Sequence, residues 1–351
     1  MIAMPAVYSN ASSAGAPNRG PRASRRVALL GALAALAGCT TEFALPGPKV
    51  MPPEQEADSF VMADGARLPY RAWLPEGRDP RLEPPWAVVL ALHGMNDSRD
   101  AWELPAPAFA EAGIAVFAPD QRGFGATAQR GYWPGAQALA DDATAMARLL
   151  RARYPRARLI LMGESMGAAV LILAATSPTP PPADIYVLLA PAVWGRVQMN
   201  PLMRSSLWVA SNLLPGVSVT GRGAGKVASD NREALIQLGR NKLTIRETRF
   251  DAVGGLVDLM DAALAAVPEF RAPALLLYGG KDEFIPPRAT RATWQALPPG
   301  PRRAYYPAGY HLLLRDLERA VPIADIIAWI RRPDTPLPAE AAAAGFLAES
   351  G

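Results

Sequence analysis

The stretch Leu159–Val170 constrains this chain most. Four apolar residues, Leu159 to Met162, lead into Gly163-Glu164-Ser165-Met166-Gly167, and an Ala-rich run follows. This reads as a buried strand, a sharp turn and the start of a helix. Strand and helix nearly touch at such a turn, so both flanks must be small, and Gly163 and Gly167 supply that. Ser165 is left at the apex with its hydroxyl pushed outward. Behind it lies the first turn of a helix, whose N–H groups are unpaired and whose dipole end is positive. A negative oxygen can be held there.

The rest of the sequence repeats the alternation of strand and helix. Trp86–Leu92 and Ile114–Ala118 are continuous apolar runs, which mark strands buried on both faces of a parallel sheet. Asp64-Gly65 sits between two strand-like runs, Phe60-Val61-Met62 and Leu68–Trp73, and predicts a hairpin. Helices are predicted over 101–112, 136–154 (ended by Pro155) and 166–176, with a strand at Ile185–Leu189. The alternation breaks over about 194–270, which carries Trp194, Met199, Met203, Trp208, Leu213 and Leu214 with helical pieces near 231–239 and 252–267. It resumes with a strand at Ala274–Tyr278, a helix over 288–297, a strand at Arg303–Tyr306 and a helix at Val321–Ile330. The Pro/Ala-rich tail 333–351 is expected to fray. The fold class is therefore α/β: a doubly wound, mostly parallel sheet with a cap inserted late between two strands.

The chain of 351 residues carries a net charge of +4 spread along its length. No long Lys/Arg run or aromatic-basic interleaving occurs, so nucleic acid is not an expected partner. One Cys and two His exclude an internal disulfide and a Cys- or His-rich metal site. Neither a phosphate loop nor a dinucleotide fingerprint follows a strand, and no cofactor or metal is expected.

The first forty residues read as an address. Ser24-Arg25-Arg26 precede an apolar run from Val27 to Gly38, and the only cysteine, Cys39, follows. As a helix that run rises about 18 Å, short of a hydrocarbon core of about 30 Å, so it reads as a signal peptide rather than a permanent span. Leu36-Ala37-Gly38-Cys39 resembles the bacterial lipoprotein signal-peptidase box, which implies cleavage after 38 and lipidation of Cys39. The paired arginines also resemble a twin-arginine export signal. The expectation is a lipoprotein held on a membrane of a bacterial envelope by its acyl chains. Residues 39–57 then read as a Pro-rich tether, and 58–332 as the folded domain.

Sites in open α/β sheets form beyond the carboxyl ends of the strands. Four polar loops fall there: His93–Asn96, Asp120–Gly125, Glu164–Met166 and Lys281–Asp282, with His311 after the last strand. A serine hydroxyl needs a base within reach and a third group to orient that base. The base must be His311 or His93, and His311 is preferred because His93 precedes Ser165 on a loop suited to building an oxyanion site. Asp282 is the orienting acid, with Glu283 its rival. The oxyanion donors are the backbone N–H groups of Met166 and Met95. Asp120 reads as a structural acid bonding the Arg122-Gly123-Phe124-Gly125 turn.

The order Ser165, Asp282, His311 with Gly163-x-Ser165-x-Gly167 resembles the α/β-hydrolase fold. With His93-Gly94-Met95, Asp120-Gln121-Arg122-Gly123-Phe124-Gly125, Gly279-Gly280-Lys281-Asp282 and Tyr310-His311, the chain is similar to the monoacylglycerol lipase and lysophospholipase group over about 58–332. The resemblance implies a cofactor-free serine carboxylester hydrolase. Its substrate would be an amphiphilic single-chain acyl ester, a monoacylglycerol or lysophospholipid, under a mobile apolar cap. The same chemistry on another acyl donor, and a non-catalytic envelope scaffold, are the competing readings. Asn241-Lys242-Leu243, where the family often has Asp-Pro-Leu, and Thr127, near a common Ser, depart from the pattern and bear on substrate rather than reaction.

Overall fold

The structure, a computed structural model, describes residues 43–76, 84–221 and 225–348. The expected signal peptide and Cys39 lie outside the described residues. Nine strands form one sheet: β1 (Glu54–Gln55), β2 (Ser59–Val61), β3 (Arg67–Trp73), β4 (Ala87–Leu92), β5 (Ile114–Pro119), β6 (Arg158–Glu164), β7 (Ile185–Leu189), β10 (Ala274–Gly279) and β11 (Arg302–Tyr306). Their spatial order is β1-β2-β3-β5-β4-β6-β7-β10-β11. From β5 to β11 every pairing is parallel, while β1 to β3 add an antiparallel edge. The Asp-Gly hairpin joins β2 to β3, with Gly65 at φ 80°.

Alternate residues of the central strands feed two cores, which is why their sequences are apolar without interruption. In β4, Val88, Leu90 and Leu92 face one core, while Ala87, Val89 and Ala91 face the other. The second is covered by α1 (Ala106–Glu111) and α8 (Ala320–Arg331). The first is covered by α2 (Ala136–Arg153), α3 (Met166–Ala175), α6 (Phe250–Ala266), α7 (Pro287–Ala296) and α9 (Pro338–Ala348). The single helix expected over 101–112 is instead a short 3-10 turn, Arg99–Trp102, followed by α1. Pro105 separates them, since proline has no N–H to continue a helix.

The insert between β7 and β10 contains α4 (Pro201–Leu213), α5 (Arg232–Arg240), α6 and a two-stranded ribbon of β8 (Ser218–Val219) with β9 (Thr248–Arg249). Asn200 caps α4 by accepting the Met203 N–H at 2.9 Å. No residue of α4 is buried, and Leu202, Trp208, Val209 and Leu213 are exposed. In contrast, α6 buries Val257, Leu259, Met260 and Ala263.

Both ends of the domain differ from expectation. Residues 43–57 run along the fold rather than standing off as a tether: Ala44 is buried, its N–H bonds the Trp133 carbonyl at 2.9 Å, and β1 pairs with β2. As far as residue 348 the tail is ordered, with a helix over Pro338–Ala348. Among its alanines, Phe346 is buried and stacks on Tyr305 with ring centroids 4.5 Å apart. The same ring meets Trp294 edge-on at 5.5 Å and lies under the Arg291 guanidinium at 4.2 Å. One aromatic anchor thus fixes a helix whose composition alone suggested disorder. Phe346→Ala is expected to cost about 3–5 kcal/mol of stability, the range for emptying a buried aromatic site, read as a lowered urea midpoint with little change in slope.

Candidate active site

Ser165 stands between β6 and α3 at φ 52° and ψ −110°. A non-glycine residue in that region stores strain on the order of 1–3 kcal/mol and persists only where its surroundings dictate it. Here they do. The Ser165 N–H bonds the Leu189 carbonyl at 2.8 Å, and the Ser165 carbonyl accepts from Ala169 and Ala192. A Cβ on Gly163 would come within 2.5 Å of the Gly167 carbonyl carbon, and one on Gly167 within 2.4 Å of the Leu92 oxygen. The turn can therefore close only on glycine.

His311 follows β11 and Asp282 follows β10. The His311 Nδ1 and the Asp282 Oδ2 are 2.8 Å apart. The other carboxylate oxygen of Asp282 accepts the N–H groups of Phe284 at 2.7 Å and Ile285 at 2.9 Å. That oxygen is thus occupied by backbone, and the remaining one faces the imidazole. Phe284 stacks on His311 at 4.9 Å and limits its rotation. Glu283 points elsewhere and accepts the Val227 N–H at 2.6 Å.

Ser165 and His311 line one cavity of about 430 Å³ with Gly94, Met95, Trp194 and Phe284. Leu238, Leu256, Met260 and Leu312 make much of the remaining wall apolar. Met166 opens α3, so its N–H has no carbonyl one turn back within the helix. Met95 lies on the facing loop, where Gly94 approaches so closely that a Cβ there would lie 3.4 Å from the Ser165 Cβ.

His93 has both ring nitrogens engaged. Its Nε2 accepts the Gln121 N–H at 3.1 Å, and its Nδ1 donates to the Gly94 carbonyl at 2.8 Å. Fully buried, it holds the loop after β4 against the loop after β5. Asp120, also fully buried, accepts from the backbone of Arg99 and Ala126 and from the Arg99 guanidinium.

Sequence reasoning missed a buried ion cluster. Arg315 donates to Asp97 at 2.7 Å and to Glu164. These three residues belong to the loop after β4, the turn before Ser165 and the segment after His311. Burial works against the Arg315 charge, but Glu164 and Asp97 outweigh it and hold the guanidinium above its ordinary pKa. The signal was present: Arg315 directly follows Leu312–Leu314, Glu164 ends an apolar strand, and a charge buried at the end of such runs needs a partner. The next residue, Asp316, joins the cap to the same segment by accepting from Ser229 at 2.6 Å and from the Tyr310 N–H at 2.7 Å. Burial, with Asp230 and Glu164 nearby, pushes its carboxyl up to about 6 despite those hydrogen bonds. Among the described residues, no three His, Cys, Asp or Glu side chains are grouped to hold a metal ion.

Fold and cavity together define a protein of the α/β-hydrolase fold with a serine and an acid-paired histidine opening into one cavity. The Hydrolase_4 family, described as serine aminopeptidase, S33, matches residues 83–318, and the chain belongs to that family. It is 27% identical over 279 residues to a monoacylglycerol lipase of Mycolicibacterium smegmatis, covering 78% of this chain and 95% of the relative. It is 26% identical to the monoglyceride lipase of Rattus norvegicus, over 76% of this chain and 86% of the relative. Among solved structures, a soluble variant of monoglyceride lipase from Saccharomyces cerevisiae superposes with a TM-score of 0.66 at 17% identity, over 83% of this chain and 99% of that one.

Replacing Arg315 by Met should strip both acids of their buried cation. The expected loss is about 3–5 kcal/mol, because an uncompensated buried charge costs more than the pair contributes. Chemical denaturation of the purified variant measures it.

Proposed function

We propose that this protein hydrolyses single-chain glycerol esters of the monoacylglycerol type through an acyl-enzyme on Ser165. The observation that carries this is the 430 Å³ cavity, mostly apolar, into which Ser165 and the Asp282-paired His311 both open. His311 takes the Ser165 proton through Nε2 as Oγ bonds to the ester carbonyl carbon. The carbonyl electron pair moves onto oxygen, and the N–H groups of Met95 and Met166 hold the resulting oxyanion. Collapse breaks the bond to the glycerol oxygen, which leaves with the proton from His311. Water then repeats the sequence and releases the fatty acid. Asp282 keeps Nδ1 protonated and stabilises the imidazolium.

An ester suits this cavity better than an N-terminal peptide. Holding a free α-ammonium requires an unpaired carboxylate, and the cavity's Asp97 and Glu164 both serve Arg315. The relatives named as monoacylglycerol lipases support the substrate class. The exposed apolar side chains of α4 suit an enzyme working beside lipid. We place the mature protein on a bacterial envelope membrane, anchored through acylated Cys39 after removal of residues 1–38, where amphiphilic substrates collect.

Ser165→Ala should lose fluorophosphonate labelling and reduce turnover by orders of magnitude, with folding retained. Activity across a chain-length series of p-nitrophenyl esters should rise with chain length; a preference for acetate would refute the long-chain reading. Cys39→Ser should shift the protein from the membrane fraction to the soluble fraction. Membrane retention of a processed Cys39→Ser form would refute the anchor.

A further inference from the structure

A groove of about 640 Å³ lies beside the ester cavity, lined by Arg130, Lys242, Arg246 and Arg249 with a single acid, Glu247. Arg249 is committed to Asp251 at 2.6 Å and lies over the Tyr132 ring at 4.7 Å. Arg130 spends one donor on the Thr244 carbonyl at 2.8 Å, and Arg246 spends one on the Gly239 carbonyl at 3.1 Å. Among the described residues, Arg130, Lys242 and Arg246 have no carboxylate partner within ion-pair distance. The groove therefore holds three cations without a carboxylate partner against one acid.

Two further observations tie this charge to the reaction. Thr244 is a wall common to the groove and to the ester cavity. Its hydroxyl is buried with no hydrogen-bond partner. The segment is also fixed to the loop that carries Met95: the Ile245 N–H bonds the Asn96 carbonyl at 2.9 Å, and the Asn96 side chain donates to Thr248 at 2.7 Å. The groove is thus held in register with the ester-cleaving site.

We propose that this groove is the head-group subsite of the ester cavity, and that it takes the phosphate of a net-anionic, single-chain glycerophosphate ester. This rests on the reaction proposed at Ser165 and extends its substrate from the neutral glycerol ester to the phosphate-bearing one. Phosphate oxygens accept charge-assisted hydrogen bonds from arginine and lysine. A head group that also carries a quaternary ammonium brings a cation into a field of cations and is disfavoured. The subsite therefore separates anionic from zwitterionic head groups as well as from neutral glycerol.

The test uses the whole protein and three monomeric substrates with one short acyl chain: a 1-acylglycerol, its 3-phosphate, and the corresponding choline phosphodiester. Wild type should favour the phosphate monoester over the choline diester in kcat/KM. In Lys242→Glu/Arg246→Glu, kcat/KM for the phosphate monoester should fall about ten-fold or more, while the neutral ester, the internal reference for folding and chemistry, keeps its rate. Inorganic phosphate should inhibit wild type against the phosphate monoester and not against the neutral ester. An equal loss on all three substrates, or no loss on the phosphate monoester, overturns the subsite. So does a loss seen only when the substrates are presented on vesicles, which would make the groove a bilayer contact. Turnover of the neutral ester without turnover of either phosphate ester overturns the subsite and leaves the esterase reading standing. Failure to cleave any of the three refutes the esterase reading itself.

Discussion

The site depends on one buried cation. Arg315 sits between Asp97 and Glu164, and each of the three comes from a different segment of the chain. One guanidinium thereby ties the oxyanion-side loop, the serine turn and the histidine segment into a single body. Two acids against one base leave a local excess of negative charge. That excess, acting through Glu164, contributes to the raised pKa of Asp316 after the larger effect of burial. The sign of the linkage is clear: a carboxyl with a folded pKa above its ordinary value favours folding while protonated, and that contribution is lost as pH rises toward about 6. The attachment of the cap through Ser229 and the ion cluster behind the catalytic turn are thus electrostatically coupled.

Much of the frame was legible because it follows from local rules. Uninterrupted apolar runs such as Ala87–Leu92 become strands with two buried faces, and glycines at 163 and 167 permit a turn that any side chain would block. The positions of Ser165, Asp282 and His311 at strand ends followed from the alternation of elements. Nearness to the strand end favours Asp282 over Glu283 in the same way, while the contacts that set its carboxylate, the Phe284 and Ile285 N–H groups and His311, are a property of the folded loop.

What was illegible depends on partners distant in sequence. Arg315 is separated from Asp97 by 218 positions and from Glu164 by 151, so no local pattern announces the cluster. Residues 43–57 look like a linker because prolines recur in them, yet the Ala44 N–H bonds the Trp133 carbonyl and β1 finds an edge to extend. The tail looks disordered because alanine dominates it, and a single phenylalanine reverses that.

Phe346 also covers one margin of the sheet. The strand β11 forms one margin of the nine-stranded sheet, and α9 packs over its aromatic neighbours Tyr278, Trp294 and Tyr305. Arg302 of that strand is clasped by Glu340 of the helix. A protein cut after residue 332 would bare this aromatic surface beside an unpaired strand edge, the combination that invites edge-to-edge association between copies. The last helix is in this sense a solubility element: it shields a margin that would otherwise be sticky.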